Sequence, residues 1–208
     1  MPRDAVGLLY LLLGASPAMS AELVIRDLGV RGESLPTAFN YSADSEGFSR
    51  SGTDYFRTAF GVALGGRYSL AGPGRSWGPI LGCDLALADA RSDHAHLTSA
   101  EVRGIAGLAW QTDFRLTCIA QCSAGIGYGR MIIDRSGGPS LGQMGSLTPG
   151  VGLWWRSTEK SYLILDVGWR LQGAVLHRGE TAIDLRQSGA SVAVGITWGI
   201  SRAPWSLE

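Results

Sequence analysis

Residues 55–70 read YFRTAFGVALGGRYSL, and the two parities of this stretch carry different chemistry. The even positions are Phe56, Thr58, Phe60, Val62, Leu64, Gly66, Tyr68 and Leu70; the odd ones are Tyr55, Arg57, Ala59, Gly61, Ala63, Gly65, Arg67 and Ser69. Successive side chains of a strand point to opposite faces, so this segregation predicts a β-strand with one apolar face and one small-or-charged face. A soluble sandwich would bury the apolar face and wet the other. Here arginines alternate with glycine and alanine, as on a face lining something narrow, and aromatics stand at both ends of the apolar row. Such a strand suits a wall that is apolar towards lipid and polar towards a cramped lumen.

The same division recurs along the chain. Residues 77–88 set Trp77, Pro79, Leu81, Cys83, Leu85 and Leu87 on one face and Gly78, Ile80, Gly82, Asp84, Ala86 and Ala88 on the other. From Ala100 the outward type falls on even positions, through Val102, Leu108, Trp110, Phe114 and Leu116, against Glu101, Arg103, Gln111, Asp113 and Arg115. That parity persists to Tyr128, too far for one strand, so a reversal lies within residues 111–122. Leu147 to Trp155 supplies a sixth strand. Leu163, Leu165, Val167, Trp169 and Leu171 mark a seventh, with Asp166 and Arg170 behind them, and the eighth alternates from Ala190 to Ile200. The first strand, residues 22–31, alternates poorly because Leu23, Val24 and Ile25 are adjacent.

The polar connections read as loops, long at 32–52, 89–99, 134–143 and 177–187, and short at 71–76, within 111–122 and at 156–160. An even number of strands with every long connection at one end predicts an all-β, eight-stranded antiparallel up-and-down transmembrane β-barrel. Eight strands leave an interior that side chains fill, so the lumen is expected to be plugged. A soluble secreted β-sandwich is the rival fold, but nothing in a sandwich places all long loops together.

Composition agrees. Of 208 residues 30 are glycine and only 17% are charged, with Lys+Arg and Asp+Glu balanced at 18 each. Zero net charge gives no footing for nucleic-acid binding. A mean hydropathy of +0.10 is too low for a bundle of membrane helices, yet suits a barrel in which every second residue is apolar. Residues 1–21 read as a secretory signal peptide: Arg3, an apolar run AVGLLYLLLG, then Pro17 and small residues before cleavage. Residues 22–200 are then the barrel and 201–208 a short tail.

Across residues 22–200 the pattern resembles the small eight-stranded outer-membrane barrels of Gram-negative bacteria, the OmpA-like and opacity-type family. The most specific piece is GITWGI at 195–200, which looks like that family's terminal insertion signal, carried here by Gly195, Trp198 and Ile200. The family's signal normally ends the chain, whereas eight residues follow here. The resemblance implies the outer membrane as location, its lipid and the barrel-assembly machinery as partners, no cofactor, and outer loops that meet a surface ligand. It also admits a lipid A acyl-modifying enzyme as the alternative function.

The inward charges Arg57, Arg67, Asp84, Glu101, Arg103, Asp166 and Arg170 are expected to form a structural network that fills the lumen and satisfies buried charge. His94, His96 and His177 sit in predicted outer loops with Asp93, as solvated side chains or as ligands for zinc or copper. His177, Glu180 and Ser188 would have to supply base, acid and nucleophile for an enzyme. No nucleophile elbow supports them. Cys118 and Cys122 become cross-strand partners able to form a disulfide if the reversal is at 119–121. A turn at 112–114 keeps parity equally well and leaves them unbonded.

Overall fold

The computed structural model describes residues 24–45, 48–69, 77–111, 116–133, 138–158 and 161–198. The signal peptide and tail expected from the sequence, and Ile200, lie outside them.

Ten strands follow in chain order: β1 (Val24–Ser34), β2 (Ala38–Ser45), β3 (Phe48–Tyr55), β4 (Thr58–Ser69), β5 (Trp77–Arg91), β6 (Ala95–Gln111), β7 (Leu116–Ile133), β8 (Pro139–Thr158), β9 (Ser161–Arg178) and β10 (Thr181–Trp198). All belong to one antiparallel sheet, which runs β1-β4-β5-β6-β7-β8-β9-β10 and closes through β1 on β10. The lower half of β10, from Val192 to Trp198, pairs with β1; its upper half, from Ala182 to Gln187, pairs with β2. β1 and β2 are therefore two lengths of one stave, and β3 and β4 are two lengths of the next. Ten strands form eight staves, which reconciles the count with the eight expected.

The interruption falls where Pro36 can donate no ladder hydrogen bond. Its neighbours keep theirs: Leu35 N bonds Ala59 O at 3.0 Å, and Phe56 N bonds Thr37 O at 2.8 Å.

The predicted long loops are corrected. Of the stretch 32–52, residues 32–34 end β1, 38–45 form β2 and 48–52 open β3. The β5–β6 connection is only residues 92–94, closed by Ser92, whose Oγ accepts from Ala95 N at 2.9 Å. β9 and β10 meet at a two-residue turn in which Gly179 adopts φ +57°, a left-handed angle that glycine tolerates best. Strands of 18 residues exceed the ~9–11 that cross a bilayer, so the barrel wall itself continues past the membrane.

Outside, an unbroken apolar belt faces away from the protein, with Ile126 76%, Val102 61% and Val194 60% exposed. Trp77, Trp110, Trp155 and Trp198 line its lower margin, and Phe60, Tyr128 and Trp169 stand near its upper one. Inside, the row along β9 reads off the layers: Ile164, then Asp166, Arg170 and Gln172, then Ala174 and Leu176, all buried. The lower apolar layer is Ile80, Ala109, Ile119, Trp154 and Ile164. The upper one gathers Phe39, Phe56, Leu97, Met131, Met144, Leu176 and Leu185 with smaller neighbours. Charge lies between them.

Candidate functional site

The charged layer is built by inward positions of five staves. Arg31 and Glu33 come from β1, Arg67 from β4, Asp84 from β5, Glu101 and Arg103 from β6, and Asp166 and Arg170 from β9. Arg31 bridges Asp84 and, at 3.2 Å, Asp166. Arg67 reaches Asp166 at 3.6 Å and lies over the Trp154 ring, 5.3 Å from its centroid. Arg103 forks onto Glu33 at 2.6 and 2.8 Å and stands 3.7 Å from Asp84. Arg170 donates to Glu101 at 2.8 Å and to Gln172 at 2.7 Å, and approaches Glu33 at 4.0 Å. Ser146 donates to the same Glu101 oxygen at 3.0 Å. Four arginines thus meet four carboxylates, and the layer carries no net charge.

Backbone close approach makes room for it. A Cβ on Gly125 would lie 2.7 Å from Arg103 Cγ and 2.8 Å from Ser146 Oγ, so the network needs glycine there. A cavity of about 50 Å³ remains, lined among others by Arg103, Asp84, Gln121 and Thr148. Asp84 Oδ1, Arg103 Nε, Gln121 Oε1 and Thr148 Oγ1 are buried without a protein hydrogen-bond partner among the described residues. A polar space of that size suits an ordered water or two.

Six of the seven charges expected in the lumen lie there together. Arg57 does not. Phe56 turns inward, where it is 2% exposed and stacks on Phe39 at 4.3 Å, so Arg57 points outward and pairs with Asp93 at 2.5 Å on the surface. Sequence reasoning missed Arg31 and Glu33. The seven expected charges sum to +1, an imbalance that flags the misplaced Arg57, since a buried layer favours balance. Arg31 and Glu33 add a neutral pair, so charge balance did not point to them.

Of the two alternatives left open for Cys118 and Cys122, the structure takes the unbonded one. β6 ends at Gln111 and the antiparallel β7 begins at Leu116, so Cys118 and Cys122 lie on one strand, β7, opposite Trp110 and Ala106 of β6. Both thiols are free, as is Cys83. Gly195 and Trp198 lie on β10, Trp198 facing outward.

At the outer rim His96 Nε2 contacts Asp89 at 2.7 Å, and Arg91 donates to the same carboxylate at 2.9 Å. Burial opposes ionisation of Asp89, yet the hydrogen bonds and charges of Arg91 and His96 outweigh it and hold the carboxyl below its ordinary value. His94 is exposed on the β5–β6 turn and His177 tops β9, and no three metal-ligating side chains gather among the described residues. Nor do His177 and Ser188 meet. Ser188 is the register partner of Leu171, six residues below His177, roughly 20 Å away along the strand. Its hydroxyl instead accepts from Trp169 Nε1 at 3.1 Å.

An apolar exterior around a charged interior, in a closed antiparallel sheet, defines the class: a membrane-spanning β-barrel. No protein-family model matches the chain, and no curated protein does. Among solved structures it is similar to Ail of Yersinia pestis, at 13% identity and a TM-score of 0.40, over 85% of this chain and 100% of that one. It is also similar to OprG of Pseudomonas aeruginosa, at 15% and 0.47, over 85% and 97%. Neisserial surface protein A is similar at 15% and 0.43, over 82% and 96%. At these identities the likeness is one of fold.

Proposed function

We propose that this chain is an outer-membrane barrel of a Gram-negative cell envelope, with a closed lumen and a surface-interaction role carried by its outer rim. One observation carries the reading. The lumen is filled by three stacked layers of side chains, while the wall rises beyond the apolar belt as polar-faced strands. A barrel sealed at three levels has no route for solutes, and its investment above the membrane is in surface. Export by the signal peptide and insertion by the assembly machinery, through Gly195, Trp198 and Ile200, complete the reading.

The test combines cell fractionation and a heated-versus-unheated gel shift with planar-bilayer recording. The expected result is an outer-membrane band that shifts on heating and a bilayer that stays silent apart from rare small events. Stable porin-sized channels would refute the closed lumen, and a soluble periplasmic protein would refute the location.

A further inference from the structure

Among the described residues the eight-stave ring is incomplete at its outer rim. β4 is paired on both edges, but β3, its continuation, pairs only with β2 among the described residues. β5 stops at Arg91 opposite Thr58, so nothing described flanks β3 above that point. This edge lies above the apolar belt, level with Asp184 and Arg186 of β10.

Which backbone groups the edge offers follows from the ladder. Phe56 N bonds Thr37 O, so the even residues of β3 bond β2 and the odd ones face away. Arg57 N fits this parity, since it bonds Arg91 O of β5 on the far side at 2.7 Å. The N–H and C=O groups of Ser49, Ser51, Thr53 and Tyr55 therefore point outward from the sheet. An open row of this kind is a template for another strand.

The side chains select the strand. β3 reads FSRSGTDY, with Arg50 and Asp54 placed symmetrically about Gly52. Consider a second β3 laid antiparallel with the two-fold axis at Gly52. Ser49 then faces the partner's Tyr55 and Ser51 the partner's Thr53, so all four outward residues of each copy bond, making about eight hydrogen bonds. Arg50 falls opposite the partner's Asp54, twice. Shifting the axis by one residue to Ser51 or Thr53 loses bonded pairs and both charge pairs. Parallel in-register pairing would set like charges side by side. Edges guarded against association carry charge that repels itself, whereas here self-pairing neutralises both signs. Arg50 has no ion-pair partner among the described residues, and Asp54 only caps Tyr55 N at 2.7 Å.

We propose that the β3 edge is a homotypic docking site, occupied by β3 of a second copy of this chain in antiparallel register. Antiparallel pairing sends the two chains to opposite ends of the shared sheet, and from Tyr55 each continues into its own membrane. The partners therefore sit in apposed membranes, and the interaction joins one surface to another. This deepens the surface-interaction reading and rests on it.

The test uses full-length protein reconstituted into phosphatidylcholine vesicles, with vesicle clustering followed by light scattering. Wild type should cluster; Arg50→Asp and Asp54→Arg, each setting like charges opposite one another, should lower clustering at least tenfold. Mixing R50D vesicles with D54R vesicles should restore it, because every facing pair is again of opposite sign. Wild-type vesicles that stay dispersed, or single variants that cluster as wild type does, would overturn the proposal. So would failure of the mixed pair to recover. Gel shift and conductance on the same samples report the barrel itself: a folded, silent barrel that never clusters sinks this inference alone, whereas an open or unfolded one sinks the function proposed above as well.

Discussion

Replacing Glu33 by Gln removes one negative charge from the middle of the lumen while keeping the side chain's shape. Glu33 takes both terminal nitrogens of Arg103 and lies 4.0 Å from Arg170, so the substitution leaves a balanced layer with one uncompensated positive charge. At ~4 Å and an effective dielectric near 20, a pair of unit charges interacts by about 4 kcal/mol. Removing one partner of a buried pair typically costs ~3–5 kcal/mol, mostly because the other is left stranded. The small polar cavity beside Arg103 lets water relieve part of this, which puts E33Q near 3 kcal/mol. The double variant E33Q/R103Q restores neutrality and should recover about 2 kcal/mol of the summed single losses. Urea unfolding in phospholipid vesicles, followed by tryptophan fluorescence, measures all four corners of this cycle. If E33Q unfolds at the wild-type urea concentration, or the two losses simply add, the lumen charges do not act as compensating pairs and the reasoning fails.

Three other outcomes are expected. Val62→Arg or Leu165→Arg, on the lipid face, should each cost about 2–4 kcal/mol in the same assay, whereas Ser51→Ala above the belt should cost nothing measurable. Phe56→Ala empties a fully buried site against Phe39 and should cost ~3–5 kcal/mol; limited proteolysis should then cut first in the β2–β3 hairpin. The Asp89 carboxyl, held below its ordinary value, stabilises the β5–β6 tip above the unfolded carboxylate range and ceases to as pH falls through the lowered value. The protection of the amides around Ser92, corrected for intrinsic exchange, should therefore fall as the pH drops below about 4.

The membrane half of the barrel was legible because lipid enforces a strict period of two with apolar residues outward, as at Phe60, Val62 and Leu64. The half above it was misread as loops, although its alternation is just as regular. On β10 Ile183 and Leu185 are buried and Asp184 and Arg186 face out. That is a strand with its polarity reversed, and a reading tuned to apolar-outward strands passes over it. Arg57 was misplaced for a related reason. Even parity runs unbroken through residue 56 in the sequence, but burial of Phe56 against Phe39 overrides the local pattern and turns the chain over between β3 and β4. No residue pattern at that point announces the change, because the cause is a contact across the hairpin.

The reversal of polarity locates the boundary between two solvents. On β5 the outward row passes from Leu87 to Asp89, on β6 from Ala100 to Thr98, and on β7 from Tyr128 to Arg130. Leu87, Ala100 and Tyr128 are successive register partners across these three strands, so the changes share one level. Inside, the switch runs the other way, from Glu101 to Leu97 on β6 and from Gln172 to Ala174 on β9. Below that level lipid wets the apolar face and the charges retreat to the lumen; above it water wets the polar face and the apolar residues retreat instead. One rule, that each face matches its solvent, produces both arrangements along a single strand. Its consequence is mechanical. The rim is held by an apolar layer of its own, centred on Phe39, Phe56, Leu176 and Leu185, and so keeps its shape without help from the bilayer. A rim built as a packed sheet holds the β3 edge, which pairs only with β2 among the described residues, in a fixed extended form.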